Sequence, residues 1–351
     1  MAILLAESNI NLTSSSWKTI DSATFLNSEV TGAFLTTTFV GSSTFTPGAI
    51  TIDGILVRLY YYVANTGTVT LELYNNTAAA TVSGTTVIIN VSDLPPQTLA
   101  SLPNSGYVYF KFSSPVTLLA ATLYSVRLKS SVTNNVAFCS STGTNWSRAL
   151  VKSATTSPVA GDNLYIVSPS ASYITVTMDN TSVVTFGSLE FGAYGKMVLE
   201  NSPSKNYLLS IANAGIIKAR LNSIMEFGNS TTRIDSSSTF KLELQSTSIG
   251  GNYLMLSNLA TFRMYGAQRL RKAQLAANSS IGATTLTTDV STGWKSGDNI
   301  VFGSTLRTNA VSYEKKVLTA DAVGTTLSIT AMTNAKLGTA PIQCDIGNVT
   351  S

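Results

Sequence analysis

The chain contains no histidine. The commonest general base and metal ligand near neutral pH is therefore missing, and with it Ser-His-Asp catalysis, Cys-His catalysis and most zinc sites. Cysteine is nearly absent too: Cys139 and Cys344, the only two in 351 residues, lie far apart and in no metal-ligand spacing. They read as two separately buried thiols, with a disulfide as the lesser alternative. Charge is scarce, at 11% Asp, Glu, Lys and Arg, where an average domain carries about 25%. Solubility then rests on Ser, Thr and Asn, the surface of an exposed β protein. No run of eighteen apolar residues occurs, so no membrane-spanning helix is expected. Met1-Ala-Ile-Leu-Leu-Ala-Glu-Ser8 has no basic region and too short an apolar stretch for a signal peptide. A product made in a host cytoplasm without the secretory gate is the expectation.

What is present is strand and turn. Residues 1–30 carry an apolar start and a Ser-rich stretch with Trp17, Ile20 and Phe25 to dock, and read either as an anchoring arm or as a first strand. From 31 to 172 strands recur at short intervals. Ile55–Val63, a turn at Asn65-Thr-Gly67 and Thr68–Tyr74 form a hairpin signal, with Leu71 and Leu73 facing the core and Glu72 facing water. Many short strands without a helical stretch predict a β-sandwich here. A polar segment, Ser168-Pro-Ser-Ala-Ser172, marks the next boundary. From 173 to 351 brief strands separated by Gly or Asn suit the coils of a solenoid. Trp294 is placed in the core or on a cap, and Asp298 beside Gly297 is expected to turn the chain rather than to catalyse.

Two family resemblances attach to these stretches. Gly293-Trp-Lys-Ser-Gly-Asp-Asn-Ile-Val-Phe302, together with Gly187-Ser-Leu-Glu-Phe-Gly192, Ala214-Gly215, Glu226-Phe-Gly228 and Met264-Tyr-Gly266, resembles the eight-glycine domain of cell-migration-inducing hyaluronidases and fibrocystin-like proteins. That resemblance implies a right-handed β-helix over the second half, although the histidine that often closes the family's pattern is missing. The stretch Phe110–Leu128 resembles the jelly-roll, carbohydrate-binding-module-like sandwiches of phage and secreted proteins. Trp146, Arg148 and Tyr165 would then be candidates for stacking on a sugar, against core packing or a subunit contact. The fold expected is all-β: a jelly-roll-like sandwich followed by a right-handed β-helix.

Charge is placed unevenly. Up to residue 172 there are seven Lys or Arg against seven Asp or Glu, and from 173 onward fifteen against eleven. Arg263, Arg269, Arg271 and Lys272 cluster around Tyr265, a patch for phosphate or acidic glycan, or else a solvated face or subunit contact. Without histidine, paired carboxylates are the acid–base device left, and Asp179, Glu190, Glu226, Asp235 and Glu243 are spread over the coils. No phosphate-cradling loop is present.

These features point to a non-enzymatic structural protein of a bacteriophage virion, a fibre, appendage or decoration protein that self-associates and offers contact to a host surface. The alternatives are a glycan-binding or glycan-degrading β-helix protein, tailspike-like or extracellular, and a bacterial surface adhesin. The partners expected are the chain itself as a homo-oligomer, a trimer among the orders that fit, other virion proteins, and optionally a surface polysaccharide. No nucleic acid, cofactor or metal is called for. With no cap after Asp345–Ser351, either this end packs on a neighbour or the natural polypeptide continues.

Overall fold

The computed structural model describes residues 2–26, 31–61, 66–94, 106–139, 146–181, 184–220, 222–235, 237–246, 253–256, 259–266, 270–304, 313–339 and 342–349. The chain is all-β, with 52% of residues in strands and 1% helical. Among the described residues the one helical turn is Val91–Asp93. No helix among them is long and apolar enough to cross a membrane. Contacts divide the chain into Met1–Tyr265 and Gly266–Ser351.

In the larger unit, the long strand Ile50–Tyr61 pairs with Gly106–Leu118 on one edge, and with Arg148–Thr156 and Val136–Cys139 on the other. A second antiparallel sheet runs in the order Val40–Gly41, Tyr124–Ser130, Thr68–Asn75, Ala80–Thr81, with Val87–Asn90 also on Thr68–Asn75. Period-two alternation sends Val69, Leu71, Leu73, Val126 and Leu128 into one core with Ile55, Val57, Phe110 and Leu150 from the first sheet. Glu72 corrects the expectation that it faces water: it is only 7% exposed. It does point away from that core, but Thr81 donates to it at 3.0 Å and the Arg127 guanidinium lies 3.7 Å away, covering its face of the sheet. Of the hairpin turn, Gly67 has φ +90° and Asn65 lies outside the described residues.

The first residues are neither a free arm nor part of these sheets alone. Ile3–Ala6 pairs in parallel with Asn163–Ile166, and Ile10–Asn11 with Ile174–Met178. Trp17–Ile20 then pairs antiparallel with both Ile3–Ala6 and Arg148–Thr156. The first antiparallel sheet is thus continuous with a parallel ladder in one 11-stranded sheet. Pairing crosses residue 30 and residue 172, the two boundaries expected from composition.

From Asn163 the chain passes repeatedly through three parallel ladders, and one passage is a coil. The first coil is Asn163–Ile166, Ile174–Met178 and Thr185–Phe186; the second is Ser188–Phe191, Gly195–Leu199 and Asn206–Ile211. The third is Ile216–Ala219, Ile224–Phe227 and Thr239–Leu244, and the fourth contributes Tyr253–Leu256 and Thr261–Met264. Alternate residues such as Leu164, Val176, Leu189, Met197, Leu209 and Phe227 point inward to a common core. Trp17 joins that core fully buried, its Nε1 donating to Leu12 O at 3.1 Å.

Two corners explain the spacing. Where the chain returns to the first ladder, successive backbones touch: a Cβ on Gly187 would lie 2.6 Å from the Gly161 carbonyl oxygen, and one on Gly215 1.8 Å from that of Gly187. At the entry to the second ladder the left-handed residue is not glycine. Tyr194, Asn222 and Leu259 have φ of 52°, 60° and 64°, each standing two residues before the register partners Lys196, Ile224 and Thr261.

On the continuous sheet Lys18 Nζ lies 2.6 Å from Asp53 Oδ2, and Ser153 donates to the same carboxylate. Burial pushes the Asp53 carboxyl up, but the hydrogen bonds from Lys18 and Ser153 and the charges of Lys18 and Lys111 together hold it below its ordinary value. A lowered folded pKa means that the unfolded chain binds more protons near pH 4, so this stabilisation is complete above that range and lost as pH falls through it. Asp53→Asn is expected to cost stability at pH 7 and much less at pH 2.5, by urea unfolding. A cost independent of pH would remove the carboxylate's role.

The smaller unit pairs only antiparallel among the described residues. Asn299–Phe302 lies between Glu314–Val317 and Asp345–Asn348, Lys272–Gln274 extends that sheet, and Thr285–Thr287 pairs with Thr326–Ser328. This corrects the expectation of coils through to 351: parallel pairing runs as far as Met264, and the three- and four-residue strands beyond it fold back on one another. Trp294 is fully buried with Leu275, Ile300, Phe302 and Ile346. Asp298 Oδ2 accepts from Lys295 N at 2.9 Å and Asn348 Nδ2 at 2.8 Å, next to Gly297 at φ +86°. It turns the chain, as expected.

Cys139 and Cys344 are both buried. Burial pushes the Cys344 thiol up to about 11, so little thiolate exists at pH 8. Neither thiol is expected to react with a thiol reagent at that pH until the chain is unfolded, when two should be counted; rapid labelling of the native protein would contradict their burial.

Candidate functional site

The outward side chains of the first ladder form a column across the coils. Leu5, Tyr165, Glu190, Lys218 and Met255 are register partners in turn. Their neighbours Leu164, Leu189 and Ile217 point the other way into the coil core, so alternation alone turns this column outward. Its first two members are kept from solvent, because Leu5 and Tyr165 pack against Leu56, Tyr107, Tyr109, Ala149 and Val151 of the antiparallel sheet.

Charge enters that apolar contact as a pair. Arg58, fully buried, places Nη2 2.8 Å from Glu190 Oε1 and its guanidinium carbon 4.5 Å from the centre of the Tyr107 ring. Tyr107 meets Tyr165 edge-on at 5.6 Å and donates its hydroxyl to Leu26 O at 3.2 Å. Burial, and after it the Glu190 charge, raises the Tyr107 hydroxyl far above its ordinary range, with Arg58 opposing. That phenol stays protonated and is no base. A cavity of about 150 Å³ opens beside the pair, lined by Phe25, Tyr165, Glu190, Ile216 and Lys218 among others.

The arrangement sets one buried anion against one buried cation. Acid–base catalysis by carboxylates needs two within working distance, and the coils separate the candidates. Glu190 lies on the outer face of the first ladder, Glu226 on the second and Glu243 on the third. Each has its own cation: Arg58 for Glu190, Lys196 at 3.1 Å and Arg263 at 3.5 Å for Glu226, Lys241 at 2.9 Å for Glu243. Asp179 accepts from Thr13, and Asp235 from Ser237. Among the described residues no three acidic or cysteine side chains are grouped to hold a metal ion.

The residues expected to stack on a sugar are not brought together. Trp146 is fully buried in the core between the antiparallel sheets, 4.4 Å from Phe138. Arg148 is buried with its guanidinium 4.9 Å over the Phe45 ring and Nη1 3.4 Å from Ser43. Tyr165, 7% exposed, belongs to the packed column. None offers a ring or guanidinium face to solvent. The basic cluster is also divided: Arg263 and Tyr265 end the larger unit, Arg271 and Lys272 are exposed in the smaller, and Arg269 lies outside the described residues. Arg58 was passed over because it reads as one polar residue in an apolar strand; a charged residue inside Ile55–Val63 was the available signal. No family model, no curated protein and no solved structure matches the chain.

Proposed function

We propose that this chain is a non-enzymatic structural protein of a bacteriophage virion, a fibre, appendage or decoration protein that assembles with copies of itself. On this reading the paired antiparallel sheets are a β-sandwich and the coils a β-helix, the architecture to which both sequence resemblances point. One observation carries the self-association. The three ladders end at Thr239–Leu244, Tyr253–Leu256 and Thr261–Met264, with no further strand among the described residues, and Leu256, Leu259 and Met264 there are 43%, 59% and 49% exposed. Unpaired strand edges with apolar side chains template pairing with another chain, and the low charge does little to oppose it. Separation of the carboxylates and the sealing of Glu190 by Arg58 support a role without catalysis.

Light scattering on the full chain tests the assembly: a multiple of 37.0 kDa is expected, falling to the monomer in Leu256→Lys/Met264→Lys. A wild-type monomer throughout the micromolar range would overturn it. The virion assignment is tested separately, by probing purified particles of the encoding phage with antibody to the chain; its absence from them would refute that part.

A further inference from the structure

A second groove lies in the larger unit, away from the Arg58–Glu190 pair. Its volume is about 180 Å³, below the roughly 300–1,000 Å³ of sites that engulf a drug-sized ligand. It has room for one ring-sized unit of a longer molecule. Three segments meet there: Val87–Asn90 with the turn Val91–Asp93, the start of Gly106–Leu118, and the coil corners at 168–171 and 193–194.

The chemistry of the walls is mixed. Ile88, Pro169 and Tyr194 supply apolar surface, and Asp93 and Ser170 supply polar groups. Tyr194 is half-buried and meets Tyr173, itself 43% exposed and outside the lining, edge-on at 5.6 Å, so the Tyr194 ring is braced from behind. The left-handed backbone at Tyr194 belongs to the corner, since Asn222 and Leu259 repeat it. Only the ring is particular to this coil. Asp93 accepts from Asn90 Nδ2 at 3.0 Å, which leaves a carboxylate capacity for further donors. The floor adds backbone. Ala193 N donates to Tyr107 O at 3.3 Å across the free edge of Gly106–Leu118. Strand alternation therefore aims the N–H and C=O of Tyr109 at that same edge, where no strand pairs among the described residues.

We infer that this groove binds a neutral pyranose unit of a glycan. A pyranose has C–H faces for the tyrosine and proline surface and hydroxyls around its rim that both donate and accept. Asp93 takes hydroxyl donors, and the Tyr109 N–H needs an acceptor, which a hydroxyl supplies. An apolar peptide side chain would cover the remaining acceptor capacity of Asp93 and offer it no donor in place of water. An ammonium has no acceptor for the backbone N–H. A uronic or sialic acid would set its carboxylate near Asp93 with no Lys or Arg among the described residues lining the groove to offset it. The inference does not rest on the virion assignment, because retention on a polysaccharide and membership of a particle are read independently.

The test is native affinity electrophoresis of the full chain in gels containing soluble β-glucan, α-mannan, galactan or, as the anionic case, polygalacturonate. Retardation by at least one neutral polymer and not by polygalacturonate is expected. Tyr194→Asn, which keeps the corner residue type that Asn222 uses in the next coil, and Asp93→Ala should each weaken that retardation at least five-fold with unchanged urea midpoints. Retardation by none of the neutral polymers, equal retardation of both variants, or equal retardation by polygalacturonate would overturn the inference.

Discussion

Gly215→Ala is expected to lower the unfolding free energy by about 3 kcal/mol, at or beyond the upper end of ordinary overpacking, and Gly215→Val to prevent accumulation of folded protein. The added Cβ would meet the Gly187 carbonyl oxygen at 1.8 Å. That atom is backbone, held by a ladder on each side, so no rotamer change relieves the clash. The coils would have to part at this corner, breaking parallel pairs between Ser188–Phe191 and Ile216–Ala219. Gly48→Ala is the control, since nothing lies within 4 Å of a Cβ there, and it should stay within about 0.5 kcal/mol of wild type. Urea unfolding of the two variants decides the matter; equal midpoints would show that the coils do not touch at Gly215.

Arg58→Met should cost about 3–5 kcal/mol, because it takes from the buried Glu190 carboxylate the cation 2.8 Å away in an apolar contact. The pair itself need not be stabilising. Desolvating both ions offsets most of their attraction, so Arg58→Met/Glu190→Met is expected to be more stable than Arg58→Met alone. Lys295→Met supplies the contrast. Its partner Asp321 is 54% exposed, and loss of such a surface pair is worth about 0–1 kcal/mol. A double variant less stable than the single one would mean that Glu190 is held by something other than Arg58.

The parts of the fold legible in the sequence are those fixed by near neighbours. Alternation along Thr68–Asn75 placed Leu71 and Leu73 correctly, because period two needs only the strand itself. Gly187 and Gly215 read as corner glycines, needed for positive φ or for a close backbone approach, and the coils make it the close approach; Trp294, read as core or cap, is core. Glu72 failed because alternation tells which face a residue takes, not whether Arg127 and its neighbours cover that face. Tyr194 and Leu259 escaped notice as corner residues, since left-handed backbone is sought at glycine or asparagine and here the coil imposes it on larger side chains. The sugar-stacking candidates failed in a related way. Trp146 and Tyr165 are amphipathic rings, and a sequence does not say which apolar surface a strand will turn toward. The switch from parallel to antiparallel pairing after Met264 was equally hidden, because short strands rich in Thr and Val suit both.

The pairing of Ile3–Ala6 with Asn163–Ile166 has a consequence in time. These partners are 160 residues apart, and at about 5–20 residues per second of synthesis the first strand waits roughly 8–32 s for its partner to be made. Closing so long a loop carries an entropic cost that nearby contacts must already have reduced. The antiparallel sheets, complete in sequence by Thr156, therefore fold before the parallel ladder can start. Ile3–Ala6 has its antiparallel partner Trp17–Ile20 close behind it in sequence, but its other edge stays open to wrong partners throughout that interval.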